Sequence, residues 1–326
     1  MAELYKYLII FIVVLVAEVL YVPLAHKLRI VSQPSHRSSQ GHNAFHVTGG
    51  GFIFYLAAGC FAVLFAPHTN QTFWWMFMAS TMLAIVSFID DIVDLSPSLR
   101  LFVQMVCMAS AYHNLLICGY YDIFFVLVIC GVGFVNAYNF MDGISGIMAS
   151  YSLVTLGTLL YAFYSLGDAP VSYIELAVSL IISAVVFAVF NMRKRALVFA
   201  GDVGSIVMGF FIVFLMVGLI QLTRDASCIV FLSAYAVDTV YTIFQRMFIG
   251  ENILLPHRRH LYQRMANQWR WPHCGVALVY SGVQLIINIG YFFVPGPVKW
   301  TYVIVVLLLL STSYFILKQR KPRLKR

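Results

Sequence analysis

Apolar runs separated by short polar segments set the rhythm of this chain. Runs of spanning or near-spanning length cover 4–24, 50–66, 73–89, 101–118, 121–137, 145–165, 171–190, 204–221, 226–244, 276–294 and 298–317. Inside hydrocarbon a backbone must satisfy its own hydrogen bonds, so each run predicts a helix. The expected fold is an all-α, polytopic membrane helix bundle of eleven transmembrane helices, one domain over 1–326. The first run holds Glu18 and no small-residue cleavage site follows it, so it reads as a span and not a cleaved signal. The longest connection is 245–275, and neither an internal repeat nor a low-complexity segment interrupts the pattern.

Composition agrees with the pattern. Hydrophobic residues make up 61% of the chain and charged residues only 10%, which lies outside the soluble globular class. An odd number of spans puts the termini on opposite sides, and Lys and Arg then choose the orientation. The loops 25–49, 90–100, 191–203, 245–275 and the tail hold 18 basic residues, against Lys6, Arg224 and Lys299 on the other side. The first set is therefore expected in the cytoplasm, with the C-terminus on that side and the N-terminus on the opposite one. The basic residues are scattered over loops, which argues against nucleic acid and for membrane lipid or phosphate-bearing partners. The cysteines (60, 107, 118, 130, 228 and 274) show no CxxC spacing and read as small buried apolar residues.

Chemistry concentrates on the basic side. Phe88–Asp94 ends an apolar run with three carboxylates, Asp90, Asp91 and Asp94. If the helix continues, Asp90 and Asp94 share one face, with Asp91 about 100° round. Carboxylates at a helix C-terminus oppose the macrodipole and call for a cation. Magnesium held by carboxylates and substrate phosphates suits such a site; a solvated acidic loop is the plainer explanation. Arg100, at the start of the next helix, could pair with these carboxylates or with a phosphate.

Asn136, Asn139 and Asp142 recur every three residues at the end of an apolar helix, where they would meet water, a ligand or one another; interhelical hydrogen bonding is the structural alternative. Arg193-Lys194-Arg195 precede Gly201-Asp202-Val203-Gly204-Ser205, a helix start able to take metal and phosphate together, with Asp202 as ligand or plain N-cap. In the fifth basic-side loop, His257 and His260 have a metal-ligand spacing, but Arg258 and Arg259 between them favour an anion-seeking cluster. Thr48-Gly-Gly-Gly51 precedes a helix and reads as a flexible turn or an anion cradle.

Taken in order, DDxxD (Asp90–Asp94), NxxNxxDG (Asn136–Gly143), GDxGS (Gly201–Ser205) and a histidine loop (His257–Gln263) resemble the polyprenyl-phosphate N-acetylhexosamine-1-phosphate transferase superfamily. The histidine loop looks like the bacterial branch that initiates O-antigen or capsule synthesis. The resemblance implies transfer of an N-acetylamino-sugar 1-phosphate from a UDP-sugar to undecaprenyl phosphate, with Mg²⁺ or Mn²⁺ and loss of UMP. UDP-GlcNAc and 6-deoxy relatives such as UDP-FucNAc or UDP-QuiNAc are the candidate donors, and a homodimer is left open.

It further implies that Asp90, Asp91 and Asp94 are catalytic, with Asp91 and Asp202 at the metal. Asn136, Asn139 and Asp142 would bind the nucleotide; Arg193, Lys194, Gly201 and Ser205 would face phosphate oxygens. His257, Arg258 and His260 would meet the pyrophosphate or sugar. Two positions depart from the family pattern: Ser145 stands where many members have a second Asp, and Thr48 where many have Arg. The rival readings are an aspartate-motif prenyltransferase, which would carry a second acidic motif, and a transporter using Glu18 and Asp238.

Overall fold

The computed structural model describes residues 3–28, 30–32, 46–65, 70–93, 95–116, 123–253, 255 and 257–320. Each expected apolar run becomes a helix. In chain order these are α1 (Leu4–Leu28), α2 (Phe52–Leu64), α3 (Gln71–Val93), α4 (Pro97–Leu116), α5 (Phe124–Met141) and α6 (Ile147–Leu166). Then come α7 (Val171–Asn191), α8 (Gly201–Thr223), a 3₁₀ turn (Ala226–Leu232) leading into α9 (Ser233–Phe248), α10 (Leu261–Asn267), α11 (His273–Phe292) and α12 (Lys299–Gln319). Among the described residues, nine segments are long and apolar enough to cross a bilayer. The expected eleven exceed this because α2 has 13 residues and α4 carries Arg100, Gln104 and His113 within its 20.

Helix α8 is the axis of the bundle. Residues 204–220 are buried without a break, so it has no polar face, and α2 to α7 pack around it. By contrast only 22% of the apolar stretch of α1 and 17% of that of α12 is buried; their outward side chains, Leu20 and Ile316 among them, are left for acyl chains. Helices α6 and α11 are stitched by polar side chains, a usual device where lipid removes the hydrophobic drive between helices. Tyr151 donates to Gln284 Oε1 at 2.7 Å and Asn288 donates to Thr158 Oγ1 at 2.8 Å.

The all-α expectation holds with one small addition, a two-residue antiparallel pair of β1 (Val31–Ser32) and β2 (His46–Val47). Helix α10 is a second addition, inside the 245–275 connection. Of the cysteines, Cys107 and Cys228 are buried, Cys60 and Cys274 are half-buried, and Cys130 is exposed on α5; all five are free thiols. Burial is therefore corrected for Cys130, whose surroundings are the outer face of the bundle. Cys118 lies outside the described residues.

Candidate functional site

The ends of α3, α5 and α9 and the starts of α4 and α8 surround one cavity of about 1640 Å³. Its polar lining includes Asp90, Asp91, Asn136, Asn139, Asp142 and Asp202, and Gly201, Ser205, His257 and His260 complete the candidate set found there. Four motifs separated by up to 170 residues thus share one wall-to-wall space. Apolar side chains form another part of the lining, among them Leu83 and Val86 of α3, Val132 of α5 and Ile243 of α9, with Gly133 of α5 between. Arg193, Lys194 and Arg258 are not among the lining residues. Arg193 turns back to donate its Nε to the Val189 carbonyl at 2.7 Å. Asp94 lies outside the described residues.

At the end of α3 the compensating cation for Asp90 is a side chain. Arg100 Nη1 lies 2.7 Å from Asp90 Oδ2, and Leu95 N–H donates to Asp90 Oδ1 at 2.8 Å. Both oxygens are engaged, so Asp90 builds the α3–α4 corner. Asp91, the next residue, is exposed on the cavity wall. Asn136 is likewise committed: its amide donates to Gln104 Oε1 of α4 at 2.5 Å and to the Val132 carbonyl at 2.8 Å. The Ser205 hydroxyl donates to the Gly201 carbonyl at 2.8 Å.

Asp142 follows the last residue of α5, where the chain leaves helical geometry (φ −78°, ψ 54°). Its Oδ2 accepts the Gly201 N–H at 3.3 Å, joining the end of α5 to the start of α8. Its Oδ1 is shielded from solvent and has no hydrogen-bond partner. Burial pushes this carboxyl up to about 7; the Gly201 N–H pulls it down and the Asp202 charge adds to the rise. A second carboxylate next to an orphaned carboxylate oxygen is the chemistry of a cation site. Among the described residues, no three His, Cys, Asp or Glu side chains form a preformed metal cluster.

The glycine run is neither a flexible turn nor an anion cradle at Gly50 and Gly51. Their N–H groups donate to the carbonyls of Phe199 and Ala200 at 3.0 and 3.1 Å, and Phe199 N–H donates to Val47 at 2.9 Å. The segment before α2 is thus zipped to the segment before α8. A Cβ on Gly51 would sit 2.4 Å from Gly204 Cα, and one on Gly201, whose φ is +72°, would sit 2.7 Å from Gly49 N. Two helix starts approach closely enough that only hydrogen fits between them.

The histidine loop is held from both ends. Arg246, 2% exposed, donates to Glu251 and to the carbonyls of Asn252, Ile253 and Leu255. Arg259 pairs with the same Glu251, whose carboxyl both arginines hold below its ordinary range, Arg259 foremost. Lys318 of α12 donates to the Arg259 carbonyl. Rings of His257 and His260 lie 4.8 Å apart beside the cavity. Sequence reasoning missed Gln104, Tyr262 and Gln263, which also line it. Gln104 had a signal, a polar residue one turn after Arg100 in a membrane helix; Tyr262 and Gln263 stood inside the histidine motif but were given no role, because α10 itself was not foreseen.

Residues 73–220 match the family described as glycosyl transferase family 4. A Bacillus subtilis (strain 168) protein described as a probable undecaprenyl-phosphate N-acetylglucosaminyl 1-phosphate transferase is 22% identical over 326 residues, covering 94% of this chain and 89% of that protein. The undecaprenyl-phosphate alpha-N-acetylglucosaminyl 1-phosphate transferase of Yersinia pestis is 23% identical over 287 residues, 82% of this chain and 77% of its own. The phospho-N-acetylmuramoyl-pentapeptide-transferase of Streptococcus sanguinis (strain SK36) is 28% identical over 230 residues, 62% and 69% of the two. The matched stretch runs from α3 to α8 and holds the aspartates and asparagines of the cavity; the glycine run and the histidine loop lie outside it.

Proposed function

Because the chain belongs to the polyprenyl-phosphate hexosamine-1-phosphate transferase superfamily, we propose that it transfers an N-acetylamino-sugar 1-phosphate from a UDP-sugar to undecaprenyl phosphate. The observation that carries this reading is the meeting of Asp91, Asp142, Asp202, His257 and His260 around one cavity that also has an apolar stretch of wall, from Leu83, Val86, Val132 and Ile243. The charged part suits a nucleotide sugar and a lipid phosphate; the apolar walls suit the prenyl chain.

In the reaction a phosphate oxygen of the lipid attacks the β-phosphorus of the UDP-sugar. The bond from that phosphorus to the oxygen bridging it to the α-phosphate breaks. UMP leaves with the bridging oxygen and its electron pair, and the sugar 1-phosphate remains on a new lipid pyrophosphate. The nucleophile is already ionised, so the protein's task is to bring two anions together and offset their charge. Asp91 and Asp202 would hold Mg²⁺ or Mn²⁺, with the unpartnered Asp142 Oδ1 adding negative charge to the same cavity. Such an ion supplies charge neutralisation at phosphate oxygens. Asn139 lines the cavity beside Asp142 and is assigned to the nucleotide. His257 and His260 are assigned to phosphoryl or sugar oxygens. Asp90 and Arg100 fix the corner on which Asp91 stands.

We assign the cavity to the cytoplasmic side of a bacterial inner membrane, the side that the excess of Lys and Arg selects and where UDP-sugars are available. UDP-GlcNAc is the first donor to test; 6-deoxy N-acetylated relatives, and a first step of O-antigen, capsule or other envelope polysaccharide synthesis, are the finer alternatives. The test is UMP release from a panel of UDP-sugars by the purified protein in detergent with undecaprenyl phosphate and Mg²⁺. Asp91→Asn and Asp202→Asn are each expected to lose at least about 100-fold, the scale of removing a charge-stabilising group. Full activity in both variants would reject the assignment.

A further inference from the structure

Asp238 lies within α9, 2% exposed, and its carboxylate is among the most heavily engaged groups in the protein. Oδ1 accepts the Leu261 N–H at 2.9 Å and the Thr242 hydroxyl at 3.2 Å, and lies 3.4 Å from His260 Nδ1. Oδ2 accepts the Tyr280 hydroxyl at 2.6 Å and the Tyr262 N–H at 3.4 Å. One carboxylate on α9 thereby closes the first turn of α10, reaches α11, and faces the ring of the residue that precedes α10.

His260 is 1% exposed and lines the cavity, yet its Nε2 has no hydrogen-bond partner. Its ring also takes part in a capping box with Gln263; since Nε2 is unpartnered, that contact falls on Nδ1. The Nδ1 edge is therefore occupied by the Gln263 N–H and the Asp238 carboxylate. When Nδ1 accepts from Gln263, the single ring proton sits on Nε2; when the ring is doubly protonated, Asp238 takes the Nδ1 proton and Nε2 again carries one. A proton on Nδ1 alone would satisfy Asp238 but leave the Gln263 N–H without an acceptor, a cost that the Nε2–H form avoids.

We propose that Asp238 is a positioning residue that holds His260 with Nε2–H presented to the cavity as a donor to a phosphoryl oxygen of the substrate. This rests on the transferase reading for the identity of the acceptor. The ring geometry does not. A buried carboxylate behind an imidazole fixes ring orientation; where the imidazole is a metal ligand, loss of such a partner lowers affinity or activity by about 10- to 100-fold, and a loss of that order is expected here. Asp238 also served the rival transporter reading of the sequence; its five contacts pair it with polar neighbours instead and leave it no free oxygen for that role.

Two measurements on the full chain in detergent test it. The first is ¹⁵N NMR of histidine-labelled protein without substrate, with His260 assigned by its disappearance in His260→Gln. The expected result is a protonated Nε2 in the wild type and a mixture of ring states in Asp238→Asn; a bare Nε2 in the wild type, or unchanged signals in the variant, would overturn the proposal. Should Asp238→Asn not fold, the wild-type ring state alone decides. The second is a double-mutant cycle on UMP release. Asp238→Asn is expected to lower kcat about 10- to 100-fold with little change in KM for the UDP-sugar, and to add no more than about twofold in a His260→Ala background. Multiplying effects, or an equal loss in Tyr280→Phe, which removes only the hydroxyl on Oδ2, would show that Asp238 acts through packing alone. A wild type inactive on every UDP-sugar would instead count against the transferase reading and leave the NMR result standing.

Discussion

Arg100 Nη1 sits 2.7 Å from Asp90 Oδ2, with the arginine side chain 26% and the aspartate 6% exposed. The pair turns the chain from α3 into α4 and sets the direction of Asp91. Arg100→Met leaves a nearly buried carboxylate without its cation and is expected to cost about 2 kcal/mol, less than a fully buried pair because the arginine is partly solvated. Thermal unfolding in detergent reads this directly. Asp90→Asn added to Arg100→Met is expected to recover part of the loss, since the uncompensated charge goes with it; no recovery would mean that the corner depends on Arg100 for something other than charge.

Asp142 gives a pH dependence with a definite sign. Its carboxyl is raised from 3.8 to about 7 by burial, with Asp202 contributing. Across that window the unfolded chain releases the proton and the folded chain keeps it, so stability falls as pH rises and levels off above about 7. In a chelator, Asp142→Asn is expected to match the wild type near pH 4 and to exceed it by at most about 4 kcal/mol at pH 7.5. Added Mg²⁺ is expected to narrow the gap above pH 7 by stabilising the wild type. Unfolding temperatures measured from pH 4 to 8 decide it, and a gap independent of pH would contradict the assignment.

The contact between Gly51 and Gly204 predicts two intolerant positions. A Cβ at Gly51 would meet Gly204 Cα at 2.4 Å, and backbone cannot step aside as a flexible side chain can. Gly51→Ala and Gly204→Ala are each expected to cost about 1–3 kcal/mol and to lower UMP release with it. Gly59→Ala, whose nearest neighbour would be Phe77 at 3.7 Å, is the control and is expected to melt at or above the wild-type temperature.

Gly133 lies on the apolar wall of the cavity with no atom within 4 Å of its missing Cβ. Gly133→Leu is therefore expected to fold normally while filling space assigned to the prenyl chain. KM for undecaprenyl phosphate should rise roughly tenfold, about 1.4 kcal/mol, with KM for the UDP-sugar unchanged. Steady-state kinetics with each substrate varied in turn separates the two.

Much of this architecture was legible because lipid leaves few options. A run of twenty apolar residues has to be a helix, and the runs predicted from hydropathy match α1 to α9, α11 and α12. Convergence of Asp91, Asp142 and Asp202 was legible from charge placement on one side of the membrane. What each polar residue does locally was not. Asn136 and Asp90 are spent on Gln104 and Arg100, partners in neighbouring helices that spacing along one helix does not reveal. Arg193 and Lys194 lie at the same membrane edge as the site, yet off the cavity wall. Helix α10 was hidden because the carboxylate that closes its first turn, Asp238, lies 23 residues upstream of Leu261. The glycine run looked mobile because the strand-like edge it pairs with, Val198–Ala200, is 150 residues away.

That long-range seam also bears on how the protein can be dissected. A fragment begun at Phe73, where family similarity starts, would leave the carbonyls of Phe199 and Ala200 without donors and the first turn of α8 without its glycine neighbour. The family-matching centre is thus not autonomous, and any minimal or permuted version has to carry residues from His46 onward to keep Asp202 in place.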